Sequence, residues 1–387
     1  MQKYIIQASN FRSVVNAAAK SASLKGSLPV LANLLFVPGD GCLLVTGSDE
    51  QQWATLTLPA TLEEGTPVPF CLPVDKLTSI VGVMPTDIDI SLAVTDKSAS
   101  IDYFTGQFSL TALPADEYPT RKQPEGDGVK TFTLPSAFLI EGLAKAVPYV
   151  ANDDLRPQMN GVFIDVQAAG TVSFVGTDGH SIYVGSRAAE GVVDADLSIL
   201  ASQRSVTFLR SYLPADGELI ITTDGRSYAI STPDGSLYFS ALCVEGRFPH
   251  YRSVFPSSQP CHVVVERKTL LQAVRRASVM GSASSNLIRI DFPAKAKAKM
   301  KVSAEDLDFG TSAAEELAVE EAEGIAVAIG FKGMLLQRAL NTLSTDYVAV
   351  EYSDASRAAL FLPAVQGAGG EAVPDERVLV MPMLLNS

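Results

Sequence analysis

The chain has 387 residues, 47% of them hydrophobic, and a formal net charge of −13. Its length allows two to four domains, each able to bury a core of its own, and no apolar run reaches the roughly 18 residues that a membrane span requires. A charge of that sign ordinarily argues against nucleic acid as a partner, because phosphate binding shows as a basic protein.

The opening Met1-Gln-Lys-Tyr-Ile-Ile leads straight into a strand and lacks the apolar core and cleavage site of a secretory signal, so a cytoplasmic location is expected. Beyond it, Phe11, Val14, Val15 and Ala18 fall at helical spacing. The same unit of short strand and helix recurs twice. Lys130-Thr-Phe-Thr-Leu is followed by Phe138, Leu139, Leu143 and Val147, and His262-Val-Val-Val-Glu by Leu270, Leu271, Val274 and Val279. Phe11, Phe138 and Leu270 are 127 and 132 positions apart, so the repeat is a whole domain rather than a solenoid turn. Three domains are expected, over 1–127, 128–256 and 257–387.

In each third a second strand and helix follow the first, which places helices at approximately 10–22, 74–83, 135–147, 203–213, 267–280 and 331–343. The stretches between them alternate apolar and polar residues, as in Asp87-Ile-Asp-Ile-Ser-Leu-Ala-Val and Tyr347-Val-Ala-Val-Glu-Tyr-Ser-Asp, and suit antiparallel sheets with one wet face. The expected fold class is α+β, with sheets outside and helices inside.

Charge is distributed unevenly over these elements. The six helices hold Arg12, Lys20, Lys76, Lys145, Arg204, Arg210, Arg267, Lys268, Arg275, Arg276, Lys332 and Arg338 against only Asp75 and Glu141, a sum of +10 that leaves −23 for the rest of the chain. Exposed helix faces often carry solvated Lys and Arg, and one such helix would mean little; six in register with a repeat favour function. Helices of one sign on an acidic body fit a surface that meets a polyanion while the outside repels it. Duplex nucleic acid suits that surface, since its evenly spaced phosphates are met without reading bases.

Catalytic and metal chemistry find little support. Cys42, Cys71, Cys243 and Cys261 show no CxxC spacing, and Asp153-Asp154 and Asp306/Asp308 lack the full calcium-loop pattern, so no metal and no cofactor are expected. Thr177-Asp-Gly-His180 sets a carboxylate two residues from an imidazole, but Asp-Gly is a common turn, and HExxH, Gly-rich phosphate-loop and GxSxG motifs are missing. The chain is expected to be non-catalytic. The run Lys295-Ala-Lys-Ala-Lys-Met-Lys301 puts its lysines on one face of an extended segment and reads as a lysine-guarded sheet edge.

A set of stretches, in order along the chain, resembles the bacterial sliding clamp family, the beta subunit of DNA polymerase III. They are Leu28-Pro-Val-Leu-Ala-Asn-Leu-Leu, Thr46-Gly-Ser-Asp, Phe108-Ser-Leu-Thr-Ala-Leu-Pro-Ala-Asp-Glu-Tyr-Pro, Asn160-Gly-Val, Thr177-Asp-Gly-His, Glu245-Gly-Arg-Phe-Pro-His-Tyr-Arg and Val380-Met-Pro-Met. The resemblance implies a head-to-tail homodimer of three-domain subunits, with helices lining a central channel, closed around double-stranded DNA. It further implies a processivity role, with the DNA polymerase III catalytic subunit, the clamp loader and other clamp-motif proteins as partners. DNA contacts are then expected from Lys20, Lys25, Arg204, Arg210, Arg275, Arg276 and Arg338, Lys25 standing where the family usually has Arg.

The family's partner-peptide cleft carries over to Met159, Thr177, Gly179, His180, Ile182, Pro249, Val254, Val380, Met381, Pro382 and Met383. Two methionines flanking a proline make an adaptable apolar surface, although plain core packing is the reading without the resemblance. Basic residues often line that cleft, and here Ser181, Ser253 and Leu384 stand instead, while Asn386 and Ser387 run slightly past the usual end and would crowd it. The dimer contact is expected to pair Phe108, Leu110 and Lys76 with Val279, Met280 and the acidic stretch from Glu305 to Glu316. Phe108 and Leu110 alternate with Ser109, so an inward strand face is the competing reading. Two other functions are weighed: a scaffold that binds only proteins, and a specialised clamp paralogue with inhibitor resistance.

Overall fold

The computed structural model describes residues 1–23, 28–104, 106–189, 196–295, 298–365 and 375–385. The chain divides into two compact units: unit 1 is Met1–Ile140 with Arg204–Cys243, and unit 2 is Glu141–Gln203 with Val244–Ser387. The stretch 128–256, expected to form a middle domain, therefore contributes to both.

Among the described residues there are six α-helices, α1 (Ala8–Ala19), α2 (Val74–Val83), α3 (Ser136–Ala146), α4 (Gln203–Tyr212), α5 (Arg267–Met280) and α6 (Gly333–Thr342), and each directly follows a strand. The apolar stripe is what defines each one. Phe11, Val14, Val15 and Ala18 of α1 are buried while Ser13 and Asn16 face solvent; Leu270, Leu271, Val274 and Ala277 of α5 are buried while Gln272, Arg275 and Arg276 are exposed.

Two helix ends differ from expectation for local reasons. The α1 helix stops at Ala19 because the chain tightens into i→i+3 bonds, Ser21 N to Ala18 O (3.0 Å) and Ala22 N to Ala19 O (3.3 Å). The α3 helix stops at Ala146, before a 3₁₀ turn at Val147–Tyr149, because Pro148 offers no N–H and disfavours helical geometry at the residue before it.

All strand pairings among the described residues are antiparallel. Unit 1 has a five-stranded sheet in the order Thr61–Glu64, Gln2–Gln7, Asp89–Val94, Ser98–Tyr103, Gly106–Thr111. Its second sheet has nine strands and runs from Leu113–Pro114 to Lys130–Pro135, joined in the middle where Gln52–Pro59 pairs with Leu237–Leu242. In unit 2 a nine-stranded sheet is joined where Ser181–Ala188 pairs with Asp375–Val380, and a four-stranded sheet takes the order Thr311–Ala318, Lys299–Asp306, Leu287–Phe292, Val327–Lys332.

The alternation read from sequence is visible in burial: Ile90, Leu92 and Val94 point into the unit 1 core with Phe11, Phe36, Leu72 and Leu77. Full burial of each such side chain contributes about 1.5–3 kcal/mol. Lys299–Asp306 is hydrogen-bonded on both sides, which corrects the reading of the lysine run as a sheet edge. Lys299 pairs with Glu316 across the strands (2.8 Å), so cross-strand charge pairing accounts for it; residues 296–297 lie outside the described residues.

Candidate functional site

Three features of the chain could meet a partner: the helix layers, the exposed turn at Thr177–Ser181 with the strand bonded to it, and two sheet edges.

In unit 1, α1 packs against α2, and α4 touches α1 where Tyr212 Oη donates to Asn16 O (3.4 Å). In unit 2, α5 packs against α6, and Tyr149, just past α3, donates to Thr342 Oγ1 of α6 (3.0 Å). Several of the helix cations are committed inside these layers. Arg12 donates to Val81 O (2.6 Å) and to Met84 O, the carbonyls ending α2. In the same way Arg267 donates to Leu340 O (2.8 Å) and Thr345 O (2.6 Å) at the end of α6. These arginines satisfy carbonyls that have no partner within their own helix.

Arg204 pairs with Asp49 (2.6 Å) and donates to Ala22 O (2.9 Å), Arg276 makes a two-pronged contact with Glu315 (2.6 and 2.8 Å), and Lys145 bridges Glu141 and Glu376. Arg338 pairs with Asp178 (2.6 Å) and lies over the Tyr149 ring, 4.7 Å from its centroid. Lys20, Arg210 and Lys268 are exposed and make no ion pair among the described residues; Arg275, also exposed, has one contact with Asn341 Oδ1 (3.3 Å). Lys20 caps the end of α1 and Lys332 the start of α6.

At the second feature, Thr177 Oγ1 donates to Ser181 O (3.0 Å), and one oxygen of Asp178 accepts from the amides of His180 (2.9 Å) and Ser181 (2.8 Å). Burial alone would raise the Asp178 carboxyl. The hydrogen bond and charge of Arg338, with those two amides, instead hold it below the usual carboxylate range. Gly179 sits at φ +84°, a backbone geometry that favours glycine.

The chain's last strand registers on this turn, Ser181 opposite Val380, and Met381 N donates to His180 O (2.9 Å). Beneath lies an apolar cluster of Val175, Ile182, Leu200, Phe248, Tyr251, Leu360 and Leu379, with Phe163 stacked on Phe248 at 4.5 Å. Tyr251 donates to Asp165 (2.7 Å), which also takes Arg252 (2.6 Å) and so ties down the short turn Tyr251–Val254. Burial first, and then the Asp165 contact, push the Tyr251 phenol up to about 12.

The third feature is a pair of outermost strands. Gly106–Thr111 ends the five-stranded sheet of unit 1 and Thr311–Ala318 the four-stranded sheet of unit 2. Beside the latter, Thr311 Oγ1 donates to Met280 O (3.0 Å), and Val279, Leu307 and Phe309 are exposed. Unpaired strand edges of this kind are templates for pairing with another chain.

The N-terminal-domain model of the DNA polymerase III beta subunit matches residues 2–122, and the C-terminal-domain model of the same subunit matches residues 252–368. The chain belongs to the DNA polymerase III beta subunit family, the beta sliding clamps. It is 28% identical to the beta sliding clamp of Pseudomonas putida over 93% of each chain, and 27% identical to that of Vibrio cholerae over 99% of this chain and 100% of the relative. The crystal structure of the Pseudomonas aeruginosa sliding clamp bound to griselimycin superposes with a TM-score of 0.89 at 26% identity, covering 99% of this chain and 100% of that one.

Against the cleft carried over from the clamp family, all eleven positions fall within unit 2. Gly179, His180, Val254 and Met381 are exposed, and Pro249, Pro382 and Met383 are half-buried. Met159, Thr177, Ile182 and Val380 are buried. Sequence reasoning missed Arg156. Its guanidinium lies against Gly179, where a Cβ would come within 3.1 Å of it, and Asp153 holds it at 2.8 Å. A basic residue therefore does border the groove, although Ser181, Ser253 and Leu384 are not basic; the Asp153-x-x-Arg156 spacing was its only local signal.

On the edge strand of this clamp chain, Phe108 is half-buried and stacks on Tyr103 at 5.3 Å, whereas Leu110 points into the core. Phe108 packs against that same core, so both side chains face inward, Leu110 fully and Phe108 in part. Lys76 is exposed on α2 beside Asp75. Lys25, Asn386 and Ser387 lie outside the described residues. No helix among the described residues is long and apolar enough to cross a membrane.

Proposed function

We propose that this chain is a DNA sliding clamp: a non-catalytic, cytoplasmic subunit of three modules, two copies of which close head to tail into a ring around duplex DNA. The observation that carries the reading is the match to sliding clamps over the whole chain, with six strand-then-helix units of which those of α1, α4 and α5 keep exposed cations without an ion pair among the described residues. A closed ring turns weak contacts into a topological link. Tight site-specific contacts would stop sliding, so Lys and Arg on flexible stems suffice. Lys20, Arg210 and Arg275 are the phosphate contacts we favour, with Lys268 added to them from its exposure.

The two copies join through Gly106–Thr111 of one and Thr311–Ala318 of the other, with Phe108 and Lys76 facing Val279, Met280, Leu307 and Phe309. The groove around Gly179, His180, Val254 and Met381–Met383 takes short apolar peptide motifs of the DNA polymerase III catalytic subunit, the clamp loader and other clamp-motif proteins.

The reading is tested by loading the protein on nicked circular DNA and then linearising the DNA. We expect retention on the circle and run-off from the linear form; retention after linearisation, or equal loss from both, defeats it. A second expectation concerns Arg210→Ala. It removes one phosphate contact and should reduce the slope of log affinity against log salt by about 1, read from DNA binding at a series of salt concentrations.

A further inference from the structure

Arg338 carries a role that its position on a cationic helix conceals. Its Nη2 donates to Asp178 Oδ2 (2.6 Å) and to Ser181 Oγ (2.6 Å), and its Nη1 to Pro148 O (2.7 Å). The Tyr149 ring lies beneath the guanidinium, and Tyr149 is itself fixed by its bond to Thr342 one turn along α6 and by stacking on Tyr183 at 5.6 Å. The side chain is only 20% exposed. To reach a phosphate it would give up a charge-assisted pair and two further hydrogen bonds in a shielded place, in exchange for a contact screened by water and salt.

The targets of Arg338 are what matter. One Asp178 oxygen faces Arg338, and the other accepts the amides of His180 and Ser181, so the carboxylate hangs the turn from α6. The second target, Ser181, begins the strand that pairs with Val380, and the carbonyl of His180 holds Met381. The Gly179-His180 turn and the Met381–Met383 segment, joined by the bond from Met381 N to His180 O, are thereby both referred to a single arginine. Unit 1 has a related contact from Arg204 to Asp49 and Ala22 O.

We propose that Arg338 is a positioning residue of the partner-peptide site, holding the Gly179-His180 turn and the Met381–Met383 segment bonded to it in the arrangement that admits a short apolar peptide, and that it is not a DNA contact. This rests on the reading of the groove as the partner site. The test uses the full-length protein and two probes, a labelled peptide carrying the clamp-binding motif of a DNA polymerase III catalytic subunit, and duplex DNA over a salt series. Arg338→Met should weaken peptide binding about tenfold or more while leaving the salt slope of DNA binding unchanged, and Arg338→Lys should recover part of the peptide affinity. Arg210→Ala should do the reverse, lowering the salt slope and sparing the peptide. Asp178→Asn attacks the same contact from the other side and keeps the test decisive if Arg338→Met does not fold. Unchanged peptide affinity in folded Arg338→Met or Asp178→Asn, or a shallower salt slope in Arg338→Met, overturns the inference. Wild-type protein that fails to bind the peptide overturns the reading of the groove itself, and this inference with it.

Discussion

Lys145→Met will lower the stability of unit 2 by about 3–5 kcal/mol, because it strips the counter-charge from the buried carboxylate of Glu376, which has no other ion pair among the described residues. Lys145 bridges Glu141 (3.1 Å) and Glu376, and the side chains of Lys145 and Glu376 are only 16% and 4% exposed. Glu141 is half-exposed and keeps Arg187 at 2.6 Å, so it loses little. Glu376 is different. It lies on Asp375–Val380 inside the nine-stranded sheet, and its Oε2 already has no hydrogen-bond partner among the described residues. Removing Lys145 leaves a full charge buried there, whereas removing both charges does not.

The double variant Lys145→Met with Glu376→Leu should therefore be more stable than Lys145→Met alone, recovering most of the loss. Denaturant titration of the three proteins, followed by a signal from unit 2, checks the ordering. A single variant that loses less than about 1 kcal/mol, or a double variant worse than the single, would show that the pair is not the buried, mutually dependent contact described here. The expected effect reaches function because this strand runs directly into Met381–Met383.

How far the chain explains itself can be judged from these same residues. The apolar spacing of Leu77, Ile80 and Val81, and of Leu270, Leu271 and Val274, located α2 and α5 to the residue, because burial of one helix face is a local and periodic demand. The destinations of the cations were not legible. Arg12 ends on carbonyls 69 and 72 residues away, and Arg267 on carbonyls 73 and 78 residues away; backbone oxygens leave no trace in side-chain pattern. A count of helix charge therefore pointed to a cationic layer while overstating how much of it faces outward.

Edge and interior strands were equally hard to separate. Lysines alternate on Lys299–Asp306 whether its neighbours are present or not, and only the pairing with Leu287–Phe292 and Thr311–Ala318 makes it an interior strand. Leu110 and Phe108 share a period-2 pattern, yet one is buried and the other half-open, since depth along an edge strand depends on what covers it. Arg156 was passed over because Asp153 three residues earlier made it look like an ordinary solvated loop pair. The groove's apolar floor was legible as hydrophobic sequence, but its convergence on one turn required the fold: Phe248 and Leu379 are distant in the chain and neighbours in the cluster.

Gly176→Ala will destabilise unit 2 by about 2–3 kcal/mol, the opposite of what adding a methyl group to a strand ordinarily does. Gly176 lies within Thr171–Thr177, paired with Tyr183, and the last turn of α3 crosses directly above it. A Cβ there would overlap Ala146 O and come within 3.2 Å of Tyr149 Cβ. A backbone oxygen cannot swing aside as a side chain can, so either α3 lifts or the strand drops. The next residue, Thr177, anchors the Thr177–Ser181 turn through its bond to Ser181 O, and peptide binding should fall together with stability. Unit 1 repeats the arrangement at Gly47, where a Cβ would overlap Ala18 O of α1 and meet Ala22 N at 3.3 Å. The control is Gly82→Ala on the exposed face of α2, where a Cβ meets nothing within 4 Å and helix propensity should yield a gain of about 0.5–1 kcal/mol. Denaturation midpoints that move in opposite directions for Gly176→Ala and Gly82→Ala support the close helix-on-strand packing. A tolerated Gly176→Ala would mean that α3 rides higher on its sheet than the geometry places it, and that the turn beneath the groove has slack to absorb the change.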